Sequence, residues 1–203
     1  MSTEGRRVLV VCTGNICRSP MGEAFLREHL RTRGLASVQV ASAGTHAQVG
    51  QGAMREARDA VLSIRGTADG HVARQLDLVA AGEADLILCA AGEHRRHILS
   101  WWPHVKPERV RLFNEAIAAD APVDVDDPYG WDADVFLLAA RVIDRAMEAW
   151  ADRLADEWGA PGDAAPADPA PGGTAPAPGA SGSAAPADGA RGDGAPGAGP
   201  RAG

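Results

Sequence analysis

Cys12 and Arg18 are the residues of this chain whose types and spacing most clearly indicate chemistry. Five residues separate them, a spacing at which one loop can direct its backbone N–H groups toward a tetrahedral anion. Gly14 and Asn15, inside the loop, tolerate the left-handed backbone conformation that such a curl requires. The planar guanidinium of Arg18 can bind two oxygens of a phosphate-like group at once. The pattern therefore predicts an oxyanion site with a thiol at its base.

The thiol of Cys12 is expected to act as a thiolate nucleophile. The loop N–H groups, the N-terminus of a helix that begins near Arg18 and the arginine cation all favour its charged form. Ser19 could add a hydroxyl donor to the sulfur. An ordinary core cysteine before a helix is the alternative interpretation. The preceding apolar run, the Gly-Asn turn and Ser19 together favour the nucleophile.

The hydrophobic pattern predicts the elements that must position this loop. Apolar residues 8–11 predict a buried strand, and a helix is predicted from Arg18 to about Arg33, where Gly34 ends it. Further strands are predicted near residues 38–40, 85–89 and 109–113, helices over 53–64, 93–101 and 132–157, and a turn at 42–45. This alternation predicts an α/β fold, a four-stranded parallel sheet flanked by helices on both faces. Ligands bind beyond the carboxyl ends of such strands, where Cys12 lies.

An aspartate-rich loop, residues 123–130, could supply an acid at the same end of the sheet. A thiolate that attacks a phosphate monoester expels an oxyanion, and this leaving group needs a proton. Asp127, held by Pro128, is the candidate acid, and Asp126 is its nearest rival. In isolation these aspartates would indicate a solvated acidic turn. A calcium loop is disfavoured because the EF-hand spacing and its distal glutamate are lacking.

The run Val-Cys-Thr-Gly-Asn-Ile-Cys-Arg-Ser-Pro-Met at residues 11–21 closely resembles the signature of the low-molecular-weight protein tyrosine phosphatase family. The resemblance continues at residues 42–45, 71–76, 84–88 and 127–129, and so covers roughly residues 6–155. Two positions depart from the family pattern. Residues 46–49 contain no phenylalanine, tyrosine or tryptophan where the family often has an aromatic residue, and Gly130 stands where many members have a second one.

The resemblance implies a role for each matching residue. Cys12 looks like the nucleophile, Arg18 the phosphate and transition-state clamp, and Asp127 the general acid and base. Asn15 would hold the loop shape, and Ser19 would be the hydroxyl partner of the thiolate. The implied substrate-binding residues, with Tyr129 as a pocket wall, are Thr13, Gly14, Asn15, Ile16, Cys17, Ser19 and Tyr129. Cys17 matches a second loop cysteine of the family, which can form a disulfide with the nucleophile under oxidation.

The implied activity is hydrolysis of phosphotyrosine through a phosphocysteine, with no metal and no cofactor. The implied partner is a phosphotyrosine protein, such as a bacterial tyrosine kinase. Arsenate reduction on the same fold is an alternative, but it needs electrons from a thiol. Only Cys89 lies downstream of the loop, so this route would need an external low-molecular-weight thiol or an unusual use of Cys17. A non-catalytic binder of phosphoproteins is a further alternative, which the joint presence of nucleophile, clamp and acid disfavours.

Composition bounds the remaining classes of function. A net charge of −7 does not indicate a strongly basic surface for nucleic acid. Three cysteines, two of them in one loop, are not a disulfide framework and fit a reducing compartment. The apolar run after Arg7 is too short for a signal peptide, and no segment is long enough to insert into a membrane, so a cytoplasmic protein is expected. Residues 1–158 are predicted to form the phosphatase domain, and residues 159–203, dominated by Ala, Gly and Pro, a disordered tail.

The helix predicted over residues 93–101 carries two histidines three positions apart, His94 and His97. They could form a metal-binding pair, but with two neighbouring arginines they favour a solvated basic face. Trp101 and Trp102 end this helix. One or both are expected to pack under the sheet rather than form an exposed patch.

Overall fold

The computed structural model describes residues 5–117 and 124–159, and within these ranges it forms an α/β fold. The strands are β1 (Arg7–Cys12), β2 (Gln39–Gly44), β3 (Leu86–Cys89) and β4 (Val110–Leu112). The α-helices are α1 (Arg18–Thr32), α2 (Arg55–Ile64), α3 (Leu78–Glu83), α4 (Gly92–Trp101) and α5 (Ala133–Trp158). Short 3₁₀ helices at Pro107–Arg109 and Phe113–Ala116 flank β4. Apart from Gly159, the predicted tail lies outside the described residues.

The four strands form one parallel sheet in the order β2-β1-β3-β4, which confirms the predicted fold class. Cys12 pairs with Gly44 on β2, and Val11 pairs with Cys89 on β3. The strand order reverses at β1, so the end of β1 is the switch point at which open α/β sheets bind ligands. The topology therefore places the Cys12 loop in the crevice between the connections that leave β1 and β3 toward opposite sides of the sheet.

Side chains of β1 alternate between the two faces of the sheet. Val8 and Val10 belong to the larger core, which includes buried residues of α1, α2 and α5. Leu9 lies on the opposite face with buried residues of α3 and α4. Because both faces are covered, β1 is apolar at every position from Val8 to Val11 rather than at alternate positions.

The structure differs from the sequence-based predictions at two places, one wrong prediction and one missed helix. Residues 42–45 were predicted as a turn, but β2 continues through Gly44. A β-carbon at Gly44 would lie 2.4 Å from the Thr13 carbonyl oxygen, so glycine lets the strand approach the Cys12 loop closely. Helix α3 was not predicted because six residues are too few to show helical periodicity. Its start is nevertheless marked by Asp77, whose side chain accepts a hydrogen bond from the Ala80 N–H.

Candidate active site

The backbone of the loop after β1 turns its carbonyl groups outward. Every carbonyl from Cys12 to Cys17 accepts a hydrogen bond from a group beyond the loop, at distances of 2.7–3.3 Å. The donors are the N–H groups of Thr45, His46, Gln48, Met54 and Met21 and the Nε2 of His71. Among the described residues, no backbone N–H of residues 13–17 donates to a backbone carbonyl. These N–H groups are therefore available on the inner side of the loop, an arrangement that binds anions.

Asn15 holds the loop in this shape. Its φ of 56° is the left-handed conformation, and it is the one non-glycine residue with positive φ among those described. The side-chain amide donates to Ser19 Oγ at 2.8 Å and to Ser42 Oγ at 2.9 Å, and its Oδ1 accepts from the Arg74 N–H at 2.9 Å. Asn15 is fully buried, so these bonds satisfy a polar group that would otherwise be costly. The sequence indicated the backbone conformation but not these distant partners.

His71 and Glu23 complete the support behind the loop. His71 Nε2 lies 2.7 Å from the Asn15 carbonyl oxygen, which can only accept, so Nε2 carries a hydrogen. Its Nδ1 lies 3.9 Å from Glu23, and Glu23 accepts the hydroxyl hydrogen of Ser42. His71 thus holds Asn15 directly through its backbone carbonyl, and Glu23 holds it indirectly through Ser42.

The sulfur of Cys12 lies 3.0 Å from Ser19 Oγ. Ser19 Oγ already accepts a hydrogen bond from the Asn15 amide, so its own hydrogen can point to the sulfur. Cys12 is buried, with 2% of its surface exposed, yet it lines the cleft above the loop. The hydroxyl donor that the resemblance implied for the thiolate is therefore within reach of it.

The guanidinium of Arg18 is held through two of its three nitrogens. Nη1 donates to the Val125 carbonyl at 3.0 Å, and Nη2 donates to Asp127 Oδ2 at 2.6 Å. Within the described residues, Nε is buried and has no hydrogen-bond partner. An oxyanion in the cleft would give this nitrogen an acceptor, because a buried donor without a partner costs free energy.

The aspartate-rich loop is anchored at the same end of the sheet. Val125 N–H donates to the Ala90 carbonyl just after β3, and Asp124 accepts from the Gly92 N–H at the start of α4. Asp127 follows and lines the cleft, with its Oδ1 accepting the Tyr129 N–H at 3.2 Å. Asp126, the rival candidate, lines a groove with residues of α5 and not the cleft. Asp127, and not Asp126, therefore lines the same cleft as Cys12.

The residues predicted for the site share one cleft to different degrees. Eight of the ten line the cleft: Cys12, Thr13, Gly14, Ile16, Cys17, Arg18, Asp127 and Tyr129. Asn15 and Ser19 lie behind the loop and support it. His46 and Gln48 also line the cleft; they lie in the segment after β2 where the family often has an aromatic residue, but they were not among the predicted site residues.

The three cysteines have different surroundings. Cys17 Sγ lies 3.3 Å from Met54 Sδ, and burial raises the pKa of this thiol to about 12. Burial also raises the pKa of Cys89, which is completely buried in β3. All three thiols are free. The disulfide between Cys12 and Cys17 remains a prediction, and Cys89 does not line the cleft.

His94, on α4, contacts Thr13 of the Cys12 loop, a contact that was not predicted from the sequence. Its Nδ1 accepts the Ala91 N–H at 3.1 Å, so the hydrogen of the neutral ring is on Nε2, which lies 2.9 Å from Thr13 Oγ1 and 3.4 Å from Glu93. Burial, together with the nearby Arg18 cation, lowers the pKa of His94 to about 4. His94 is 1% exposed, so the predicted solvated face was wrong for this residue. Because alanine is an unfavourable N-cap residue, the sequence around Ala91 carried no signal for this contact.

Of the two tryptophans at the end of α4, one packs against the core and the other is exposed. Trp102 packs against the core cluster on the α3 and α4 face of the sheet. Trp101 is 66% exposed.

Among the described residues, no group of three or more His, Cys, Asp or Glu side chains is arranged to hold a metal ion. No helix in the described ranges combines the length and the apolar composition needed to cross a bilayer.

Known sequences similar to this chain are phosphatases. A family model described as low molecular weight phosphotyrosine protein phosphatase matches residues 7–159. The low molecular weight protein-tyrosine-phosphatase Etp of Escherichia coli (strain K12) is 36% identical over 147 residues, which cover 72% of this chain and 93% of Etp.

Solved structures agree with the sequence relatives. The tyrosine phosphatase amsI of Erwinia amylovora is 32% identical with a TM-score of 0.66, and the match covers 73% of this chain and 92% of amsI. The YwlE arginine phosphatase from Geobacillus stearothermophilus is 28% identical with a TM-score of 0.66, and the match covers 75% of this chain and 94% of YwlE.

Proposed function

Because the chain belongs to the low molecular weight phosphotyrosine protein phosphatase family, it is a phosphoric monoester hydrolase, and we propose that it acts through a phosphocysteine on Cys12. Arg18 is the proposed phosphate clamp and Asp127 the proposed general acid and base. The observation that carries the proposal is that these three side chains line one cleft, with Asp127 bonded to Arg18 at 2.6 Å. Cys12 and Arg18 belong to one loop, whereas Asp127 comes from a distant part of the chain.

In the first step the Cys12 thiolate attacks phosphorus, and the bond between phosphorus and the tyrosine oxygen breaks. Asp127 gives its proton to that oxygen, which leaves as a neutral phenol. In the second step a water molecule attacks the phosphocysteine, and Asp127 takes the proton of the water. Inorganic phosphate is released and the thiolate returns. Acid–base assistance of this kind accelerates a step by about 10²–10⁴-fold.

The loop and Arg18 stabilise the transferring group in both steps. The inward N–H groups of residues 13–17 and the start of α1 face the non-bridging oxygens. Cys17, at the N-cap of α1, makes no side-chain cap hydrogen bond, so that helix end is open to a bound anion. Removing one preorganised donor from such a site costs about 3–4 kcal/mol of transition-state stabilisation in known cases.

The alternative of arsenate reduction receives no support from the similar proteins. It also lacks a second thiol near the nucleophile other than Cys17, because Cys89 is buried within the sheet. A non-catalytic binder would not need an acid placed against the clamp. Hydrolysis is thus the activity that uses the nucleophile, the clamp and the acid of the cleft together.

The substrate is a phosphoprotein, and a tyrosine kinase of the same cell is the proposed specific partner. A cytoplasmic location is proposed on the basis of three free thiols in the chain. A single phosphatase domain ending at Trp158, the last residue of α5, is proposed because α5 packs its apolar side into the larger core up to that residue. Residues beyond it would then be unnecessary for turnover.

The test is steady-state hydrolysis of an aryl phosphate in the presence of a metal chelator. Cys12→Ser should abolish turnover, and acid quench of the wild type should trap phosphate on Cys12. A chain truncated after Trp158 should retain turnover. A phosphoarginine peptide, the substrate class in the name of YwlE, serves as comparison for a phosphotyrosine peptide. Loss of activity with chelator, or turnover that survives Cys12→Ser, would refute the proposed mechanism.

A further inference from the structure

The cleft continues outward along three aromatic rings. His46 lines the cleft, and its ring centroid lies 5.4 Å from that of His97 in an edge-to-face arrangement. His97 stacks on Trp101 with a centroid separation of 4.4 Å and an interplanar angle of 20°. His46, His97 and Trp101 are called the aromatic ladder below. The ladder leads from the rim of the cleft to the exposed face of α4.

The ladder combines two elements that the sequence keeps far apart. His97 and Trp101 are four residues apart on α4 and therefore share one helix face. His46 follows β2 and is held in place by its N–H, which donates to the Thr13 carbonyl at 2.9 Å. The hydrogen bond that His46 N–H donates to the outward-facing Thr13 carbonyl thus also holds His46 beside His97. The ladder is continuous with the catalytic loop.

Core packing does not explain the outer ring. Trp102 is the residue of α4 that packs against the core, whereas Trp101 is 66% exposed and leaves most of a large apolar ring in water. An exposed apolar surface beside a cleft is typical of an interaction site. Aromatic faces of this type also dominate the energetics of protein interfaces.

The charge state of the ladder indicates which side chains it can bind. Burial lowers the pKa of His97 below its usual value, and the neighbouring His46 lowers it further, so His97 is neutral at pH 7. A stacked neutral imidazole and indole present apolar faces without a formal charge. They suit an aromatic or aliphatic side chain better than an acidic one.

We propose that the aromatic ladder binds an aromatic or aliphatic side chain that lies about two or three residues from the phosphotyrosine of a protein substrate. An extended peptide advances about 3.3 Å per residue, so two ring steps correspond to roughly three residues. This inference rests on the proposed function, because it assumes that phosphotyrosine occupies the cleft. It gives the chain an aromatic wall at the side where residues 46–49 contain no phenylalanine, tyrosine or tryptophan.

The test uses phosphotyrosine peptides with alanine at the three positions on either side, and variants that carry a single tryptophan or leucine at each of these positions. The measured quantity is kcat/KM for each peptide divided by kcat/KM for a small aryl phosphate with the same enzyme variant. The wild type should prefer an apolar residue over alanine at one or two positions by roughly five- to tenfold. Trp101→Ala should reduce that preference to less than about twofold, and His97→Ala should reduce it partly.

Leu62→Ala is the matched control, because Leu62 lies on α2 outside the ladder and is 71% exposed. It should leave the preference as in the wild type. Binding of the same peptides to Cys12→Ser, with and without Trp101→Ala, reports on the ladder independently of turnover. The inference is wrong if the wild type shows no positional preference, or if the preference survives Trp101→Ala. Failure of the proposed function would instead appear as absent aryl phosphate hydrolysis while peptides still bind.

Discussion

Arg18 Nη2 lies 2.6 Å from Asp127 Oδ2, so the proposed phosphate clamp and the proposed general acid form a salt bridge. The two partners differ in burial, since the Arg18 side chain is 5% exposed and that of Asp127 is 46% exposed. Arg18 is also bonded to the Val125 carbonyl, which keeps it in the loop. A bound phosphate competes with Asp127 for the guanidinium. We expect substrate binding to release the carboxyl group toward the leaving oxygen.

Asp127→Asn should lower kcat in proportion to the basicity of the leaving group. A phenol with a pKa near 10, like tyrosine, needs the proton, so the loss should be about 10²–10⁴-fold. An aryl phosphate with a much more acidic phenol should lose far less. Asp126→Asn is the control, because Asp126 does not line the cleft. Equal losses for both leaving groups would show that Asp127 is not the acid.

The salt bridge also predicts the affinity for inorganic phosphate. Asp127→Asn removes a negative charge that competes for Arg18, so phosphate should inhibit the variant at a concentration about two- to fivefold lower than the wild type. The inhibition constant measured with an activated aryl phosphate is the readout. Weaker inhibition in the variant would mean that Asp127 assists, rather than opposes, anion binding.

Asn15 should contribute to stability in two separable ways. Asn15→Gly keeps the left-handed conformation but removes the side-chain bonds to Ser19, Ser42 and the Arg74 N–H, and should lower the free energy of unfolding by about 1–3 kcal/mol. Asn15→Ala removes the same bonds and adds a left-handed β-carbon, which costs about 1–2 kcal/mol more. Urea unfolding of the three proteins measures both terms. Equal stability of the two variants would exclude backbone strain at this position.

His94 and Thr13 should act on turnover as a unit. His94→Leu and Thr13→Val each break the 2.9 Å bond between Nε2 and Oγ1, so each should lower kcat, and the double variant should lose little more than either single one. Thr13→Ser and His94→Gln retain a hydroxyl and a donor, and they should restore part of the activity. A double-mutant cycle on kcat gives the coupling. Additive losses would mean that the contact does not position the loop.

Protonation of His94 should destabilise the fold in acid. Burial lowers its pKa in the folded chain to about 4, below the ordinary value of 6.5, so the unfolded chain binds the proton more readily between these pH values. The stability that the neutral ring contributes is complete above pH 6.5 and is lost as the pH falls to 4, by about 3 kcal/mol. Urea unfolding of wild type and His94→Gln at several pH values should show the steeper loss in the wild type. Parallel curves would contradict the prediction.

Local sequence was sufficient where a single segment carries the signal. The apolar run of β1, the Gly14-Asn15 turn and the start of α1 are adjacent in the chain, so one loop with a thiol and a guanidinium could be predicted from it. Helix α5 was predicted within one residue at each end because its apolar spacing persists over many turns. The short helix α3 and the end of β2 carried no comparable pattern.

Contacts between distant segments could not be predicted in this way. Asp127 and Asp126 are adjacent and alike in sequence, and only the path of the loop past β3 and α4 turns one of them to the cleft. The contact of His94 with Thr13 and the stacking of His97 on Trp101 beside His46 likewise join separate elements. Burial then changed the chemistry of His94 from a basic surface group to a neutral donor.

The sequence by itself determined the parallel α/β fold and the place of Cys12 at the end of a central strand, because hydrophobic periodicity and the chemistry of a Cys-x5-Arg loop are local properties. The tertiary structure decided which aspartate lines the cleft with Cys12, what holds Asn15 in its left-handed conformation and which rings flank the cleft. Those outcomes depend on hydrogen bonds and packing between segments that are tens of residues apart. Side-chain orientation at such contacts is fixed only when the whole core closes around the sheet.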